Sequence, residues 1–275
     1  MAKYGIAHLL LKAWAESRGL YSSKLGLLGG LNISVMLVPI CKLLAYDGPS
    51  AGTTDILTTF FHHYRNFDWK TNMVFDPLFH GTVKYHRTQR ESMCLLGWHT
   101  PSRNTALNAT ASTIHILSAE IMRASDLLSQ EGVNWDTFLR GTQSLLPFPE
   151  LTACNAAGFL DSHKCYIKMN ASYWGCSPSK GKRFVGWLES RCLMVLVDMS
   201  RKLPDLLARI WPARFTLKAS HSTADIRNEE FNYSYLIGLS WQHGDTENKT
   251  KEDNQHAEQS LSYILRCFEN RLRCD

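Results

Sequence analysis

Apolar positions recur along the first half of the chain at helical spacing. Over residues 4 to 18, Ile6, Leu9, Leu10, Ala13 and Trp14 fall on one side of a helix. Gly19 and the Ser22-Ser23 pair interrupt it. Gly29-Gly30 then permits a close backbone turn into a second helix, expected from about Asn32 to Tyr46 and ended by Asp47-Gly48-Pro49-Ser50. Thr53-Thr54-Asp55 reads as the cap of a third helix, Ile56 to Asn66, with Ile56, Phe60 and Tyr64 in register. From Asp68 to Pro101 the pattern is irregular, apart from a short extended piece at Thr82 to His86. Ile114, Leu117, Ile121, Ala124 and Leu128 mark a long amphipathic helix after Asn108, and Trp135 to Leu146 a short one.

Pro147 and Pro149 place a domain boundary, giving expected domains at 1–150 and 151–275. Beyond it the rhythm changes. Cys165 to Tyr173 alternates like a strand. A Gly175-Cys176-Ser177-Pro178 turn and the basic Lys180, Lys182 and Arg183 follow, and Phe184, Trp187, Leu188, Val195 and Met199 mark a helix of several turns. Ile210 to Leu217 and Phe231 to Trp241 read as two strands separated by a polar loop, and Ala257 to Leu272 as a closing helix. Strand-helix-strand-strand-helix is the order of a ferredoxin-like α/β sandwich short of its last strand. The expected fold class is therefore α+β, a helical bundle followed by a ferredoxin-like domain.

Composition adds limits rather than direction. With 275 residues, 44% hydrophobic and 20% charged, the chain has ample material for a core or two. A net charge of +5 is compatible with a polyanion partner without announcing one. Eight cysteines lie scattered with no CxxC pair and no export signal, which fits reduced thiols in a nuclear or cytoplasmic protein. The uncharged run Leu25 to Cys41 contains two glycines, Asn32 and Pro39, and reads as a buried helix rather than a membrane span.

The most informative stretch is Lys12 to Leu31, KAWAESRGLYSSKLGLLGGL. Lys12, Trp14, Ala15, Arg18, Tyr21, Ser23, Gly26, Gly29, Gly30 and Leu31 stand at the spacing of the motif that opens the central domain of eukaryotic poly(A) polymerases. The likeness continues through Phe60-Phe61, Phe67-Asp68-Trp69, Thr82-Val83-Lys84-Tyr85, His99-Thr100-Pro101 and Asn108-Ala109-Thr110. In the second half, Gly186-Trp187-Leu188-Glu189-Ser190-Arg191 resembles the family's G-x-V-E-S-K/R element, and Tyr235 to Leu239 its Y-I-G-L strand. The chain thus resembles that family from about residue 4 to 241. The resemblance implies a helical domain that closes over ATP and a last domain, RNA-recognition-like, that holds RNA. It also implies a preceding nucleotidyltransferase domain, for which this sequence has no counterpart.

By position, Lys12 and Tyr21 match family residues that touch the ATP triphosphate. Ser23 replaces an asparagine near the base, and Gly29, Gly30 and Leu31 form the turn packed against adenine. An ammonium and a phenol suit phosphate oxygens, and a glycine turn lets backbone approach a flat ring. Read without the motif, Lys12 is a solvated helix lysine and Tyr21 a core tyrosine. For RNA, Lys168, Lys182, Arg183 and Arg191 are the candidates, with Lys164, Lys180 and the aromatics Tyr166, Tyr173 and Trp174 interleaved. The alternative is a charged helix start beside a core strand, with Phe184 and Trp187 in the core.

Nucleotidyl transfer needs paired carboxylates for divalent metals, and no D-x-D occurs; Asp245-Thr246-Glu247 reads as a solvated loop. His62-His63 and the other histidines complete no zinc set, while a Cys-His or Ser-His-Asp arrangement stays open. No cofactor is expected of the chain itself, since ATP and Mg²⁺ or Mn²⁺ belong to the full family enzyme. The expected function is an RNA- or nucleotide-binding pseudoenzyme, or the non-catalytic part of a polyadenylating nucleotidyltransferase, with a separate catalytic or processing protein as partner and no membrane. The alternative is an enzyme of small-molecule metabolism that has recruited the ATP cleft. A third reading makes the chain one piece of a longer or split polymerase.

Overall fold

The computed structural model describes residues 2–47, 51–82, 84–140, 156–175, 177–216, 229–242 and 251–274. The chain divides into two compact units, Met1–Gln143 and Ser144–Asp275. Pro147, Pro149, Val83, Leu217 and Asp245-Thr246-Glu247 lie outside the described residues.

The first unit is mostly helical. Helices α1 (Ala2–Ser17), α2 (Gly30–Asp47), α3 (Thr53–Arg65), the single turn α4 (Pro77–His80), α5 (Ala111–Leu128) and α6 (Trp135–Arg140) follow in order. Trp14, Phe60, Phe61, Tyr64 and Phe138 form a buried aromatic cluster in edge-to-face contacts, joined by Trp69 stacked on Tyr64. Tyr64 donates to the Met36 carbonyl at 2.8 Å, so its one polar atom is satisfied inside the core. α3 and α5 are also tied by His62 to Ser125 (2.7 Å) and by the Arg65–Asp126 ion pair.

Two expectations are corrected here. The buried face of α1 is Ala7, Leu11, Trp14 and Ala15, while Ile6 and Leu9 are exposed. Apolar residues spread well beyond the buried face on that helix, leaving a polar stripe of only His8, Lys12 and Glu16, so spacing alone does not choose a face. α3 begins at Thr53 behind Gly52. Asp55 accepts the Gly52 N–H at 2.7 Å from inside the first turn, so it closes the end from the N3 position.

The irregular segment between α3 and α5 is held by side chains rather than by a strand. No strand is assigned to the described part of 82–86; instead Tyr85 donates to Glu91, which also accepts from Thr88 and Asn104. Asn104 in turn accepts the Leu95 and Ala106 N–H groups. Asp76, buried, accepts from Lys42 at 2.6 Å, from the Trp98 indole at 3.2 Å and from the Leu78 N–H at 3.1 Å. Burial alone would raise the Asp76 carboxyl; the hydrogen bonds and the Lys42 charge outweigh it and hold it below its ordinary range.

The second unit opens with the short α7 (Ala157–Asp161), then β1 (Cys165–Gly175), α8 (Pro178–Lys202), β2 (Leu206–Ile210), β3 (Phe215–Thr216), β4 (Glu229–Trp241) and α9 (Lys251–Cys274). All pairing is antiparallel. β4 is central, with β1 on one side and β2 and β3 on the other. The strand expected at Ile210 to Leu217 is two pieces: Trp211 still donates to the Leu236 carbonyl at 3.0 Å, and the break comes at Pro212, which has no N–H to donate. Most of the first piece, Leu206 to Ile210, precedes the expected strand. Its run of buried residues does not alternate, which is why the pattern hides it.

α8 packs across the sheet on one face, and Val185, Leu188, Cys192, Val195, Leu196 and Met199 form its buried side. Lys180, Lys182 and Arg183, expected in a turn before this helix, lie within its first two turns. One end of the other sheet face is covered by α7: Phe159, Trp211 and Phe215 form a buried cluster with Tyr166 and Leu236 against it, while Lys168, Asn170 and Ser172 farther along β1 are exposed. His163 continues that cover. Its ring presses on Gly238, where an added Cβ would stand 2.3 Å from His163 Cδ2, so only glycine fits there.

Candidate nucleotide site and nucleic-acid surface

The loop that leaves α1 is shaped by backbone hydrogen bonds. Leu28 N–H donates to Leu20 at 2.9 Å and Leu27 N–H to Ser22 at 3.1 Å, closing a tight excursion around the 3₁₀ turn Ser23–Leu25. Gly26 ends that turn with φ +76°, and a Cβ there would sit 2.2 Å from the Asn108 carbonyl oxygen. Asn108 also donates its side-chain amide to the Ser23 carbonyl at 3.2 Å. The sequence reading gave the turning role to Gly29-Gly30. The residues with positive φ in this connection are Gly19 and Gly26 instead, and Gly29-Gly30 leads directly into α2.

Within this frame the expected residues come together. Lys12 Nζ lies 5.2 Å from the centre of the Tyr21 ring, and the Tyr21 hydroxyl reaches Gly30, where a Cβ would be 3.4 Å away. Ser23 lies beside Gly29, whose Cβ position is 3.0 Å from Ser23 Cβ. Leu31 is exposed on the first turn of α2. Lys12 also lies 3.7 Å from Glu16, an exposed i,i+4 pair of the kind worth at most ~1 kcal/mol, which an incoming anion can compete away. The arrangement offers one cation, one phenol, and an apolar side chain on a backbone turn. Behind the loop, Leu27, Leu28, Met93 and Leu117 line an apolar gap with no room for a water molecule.

Two residues of this site carried no signal in the motif. His8 Nε2 lies 3.1 Å from the Gly30 carbonyl, on the α1 side of the turn. Asn32, buried in the first turn of α2, accepts the Gly29 N–H at 2.8 Å and donates to the Thr105 carbonyl and hydroxyl, each at 3.1 Å. An Asn three positions after the first glycine is the only hint in the sequence, since its partner Thr105 is distant along the chain.

The expected RNA cations are not brought to one face. Tyr235 reaches α8 by donating to Glu189 at 2.9 Å, so the odd positions of β4 face that helix. Lys168 pairs with Leu236, the next residue, and therefore lies on the opposite side of the sheet. Lys182 and Arg191 are nine positions apart on α8, which at about 3.6 residues per turn places them on opposite sides of the helix. Lys168, Lys182 and Arg183 are exposed, and Arg191 is half-buried with its guanidinium 5.8 Å from the Trp187 ring centre. Glu189, two positions before Arg191, is engaged on the sheet side by Tyr235 and by Arg214 at 3.0 Å.

Nucleophilic thiol chemistry finds little support. Burial pushes the Cys94 thiol up to about 11 and the Cys192 thiol up to about 12, so neither is a thiolate at neutral pH. Among the described residues no group of three His, Cys, Asp or Glu side chains is placed to hold a metal ion, and no helix is long and apolar enough to cross a membrane.

Residues 4–140 match the family model of the poly(A) polymerase central domain. Through that domain the chain belongs to the poly(A) polymerase family. The likeness extends further: nuclear poly(A) polymerase 1 of Arabidopsis thaliana is 22% identical over 250 residues, covering 85% of this chain and 30% of the relative. A poly(A) polymerase of Dictyostelium discoideum is 22% identical over 245 residues, covering 86% of the chain and 27% of the relative. The chain thus spans under a third of the length of these polymerases, and its shared region runs past the central domain into the second unit. In poly(A) polymerase terms, the α1–α2 loop with Lys12, Tyr21 and Gly30 belongs to the matched domain, and β1 to β4 lie outside it.

Proposed function

We propose that this chain supplies the nucleotide-gripping and RNA-holding part of a polyadenylating nucleotidyltransferase, acting in the nucleus, without itself carrying the acidic cradle of that reaction. The observation that carries the reading is the meeting of Lys12 of α1 with Tyr21, Gly29 and Gly30, where the chain turns from α1 into α2 of a poly(A) polymerase central domain. Lys12 and the Tyr21 hydroxyl would pair with phosphate oxygens of ATP, while Ser23, Gly30 and Leu31 would border the base. The half-exposed positions of Lys12 and Tyr21 fit a triphosphate. Among the described residues no group of three His, Cys, Asp or Glu side chains stands near this turn to hold a divalent metal.

The second unit supports the RNA half of the proposal by its topology. Its strand order, β1-β4-β2 with α8 crossing between β1 and β2, is that of the first three strands of a ferredoxin-like, RNA-recognition-type domain. The purified chain is expected to bind ATP and not to extend an RNA primer with Mg²⁺ or Mn²⁺, because the sequence has no D-x-D pair. A primer-extension assay beside an ATP-binding titration checks both. Extension lost on mutating an acidic residue overturns the non-catalytic reading, and ATP binding indifferent to Lys12 and Tyr21 overturns the site.

A further inference from the structure

On the exposed side of α8, Lys180, Arg183, Phe184, Trp187 and Arg191 follow one another at i, i+3, i+4, i+7 and i+11, which places them in one stripe. The stripe sets two flat rings between cations. Phe184 and Trp187, expected in the core, are only half-buried, and their rings lie near-parallel at 25° with centres 6.0 Å apart. Tyr173 of β1 extends the row, 29° from the plane of Phe184 at 6.3 Å, and Arg191 covers the other end over Trp187. The buried side of the helix is supplied by Val185, Leu188, Val195, Leu196 and Met199, and the two rings border it with part of their surface left open.

Two further observations narrow what such a row can take. On the opposite sheet face the Tyr166 end is closed by Phe159 and His163, and the exposed positions beyond it, Lys168, Asn170 and Ser172, offer no ring for a base to stack on. Two acids of α8 near the stripe are engaged elsewhere: Glu189 by Arg214 and Tyr235, and Asp198, two turns beyond Arg191, by Arg271 at 3.0 Å. A row of partly exposed rings flanked by Lys and Arg suits a polyanion with stackable bases.

We propose that this stripe of α8 is the single-stranded RNA contact of the second unit. Bases stack on Trp187 and Phe184, and backbone phosphates lie against Lys180, Arg183 and Arg191. The proposal rests on the RNA-holding reading and moves it from the dispersed cations to one helix face. In the family's G-x-V-E-S-K/R element Trp187 occupies the unspecified position, so the ring is a feature of this chain rather than of the motif.

The test is an anisotropy titration of the full chain with a short adenylate oligomer over a range of salt. Trp187→Ala should weaken binding about tenfold, the cost of one lost base stack, and leave the salt dependence unchanged. Trp187→Phe, which keeps a ring, should retain most of the affinity. Lys180→Ala and Arg183→Ala should each flatten the salt slope by about 0.7, the share of one single-strand phosphate contact, whereas Lys168→Ala and Lys182→Ala should not. Wild-type binding that Trp187→Ala and the stripe cations leave untouched overturns the stripe and spares the RNA-holding reading. Absence of binding by the wild-type chain at low salt overturns both.

Discussion

The loop between α1 and α2 and the outer side of α8 both gather charged and aromatic residues, by opposite means. The loop site is fixed by its backbone: Leu28 to Leu20, Leu27 to Ser22 and the Gly29–Asn32 bond leave Lys12, Tyr21 and Gly30 one arrangement. On α8 the backbone is uniform, and which residues meet is decided by helical period alone. Neighbours in sequence such as Lys182 and Arg183 then separate, while Lys180 and Arg191, three turns apart, share a stripe. A loop site is therefore brittle to changes in its frame, and a helix site is sensitive only to the residues on its own face.

The frame of the loop is where that contrast should break first. Gly26→Ala forces a side chain into positive φ and against the Asn108 carbonyl, and should destabilise the first unit by roughly 3 kcal/mol in urea unfolding. Gly186→Ala on α8, with open space around its Cβ position, should be neutral or slightly stabilising by comparison. If the two substitutions cost the same, the frame is not what holds the loop.

Next comes the segment pinned by Asp76. Asp76→Ala strands Lys42, the Trp98 indole and the Leu78 N–H, at a cost of about 2 kcal/mol. The same carboxyl gives a pH signature. Asp76 and Glu91 are both held below their ordinary values of 3.8 and 4.5, so the folded unit binds fewer protons than the unfolded chain as acid is added. Their contribution is complete above those ordinary values and falls away as pH drops through them toward the lower folded values. Unfolding midpoints measured from neutral to acid pH should show this loss, and Asp76→Asn should make the profile flatter.

A smaller effect is expected at the loop's own chemistry. Lys12→Ala or Tyr21→Phe should each weaken ATP binding by about tenfold, near 1.4 kcal/mol, with the thermal midpoint almost unchanged because both groups are partly exposed. Isothermal titration beside a melting curve separates the two readouts. The smallest effect concerns overall RNA affinity. With net charge +5 and cations spread over several faces, binding to poly(A) should be micromolar or weaker at physiological salt, with a shallow salt slope. A nanomolar, steeply salt-dependent complex would mean that the dispersed cations act together after all.

How far the sequence reveals these arrangements follows from the same contrast. The helices α2, α3 and α5 and the long strands β1 and β4 show in the pattern because each buries one face with a regular period. The candidate nucleotide residues were legible because the motif lies within one local excursion of chain. His8 and Asn32 were not, since their roles depend on the Gly30 carbonyl and on Thr105 arriving from elsewhere. On α8 the cations were found in the sequence, yet their grouping needed the true start of the helix, and with it the phase of every side chain. The buried face of α1 failed for a different reason: its apolar residues spread over more than the buried face, so the pattern leaves the phase open.

The bond from Asn108 to the Ser23 carbonyl spans 85 positions of chain, and it meets the same turn that Gly26 presses against the Asn108 backbone. That junction gives the loop a history as well as a shape. The turn can be assembled only after a long stretch of chain has closed on itself, which places it among the slower, nonlocal events of folding rather than with the rapid winding of α1. A nascent chain halted before residue 108 would carry every letter of the Lys12–Leu31 motif and still lack the pocket those letters spell.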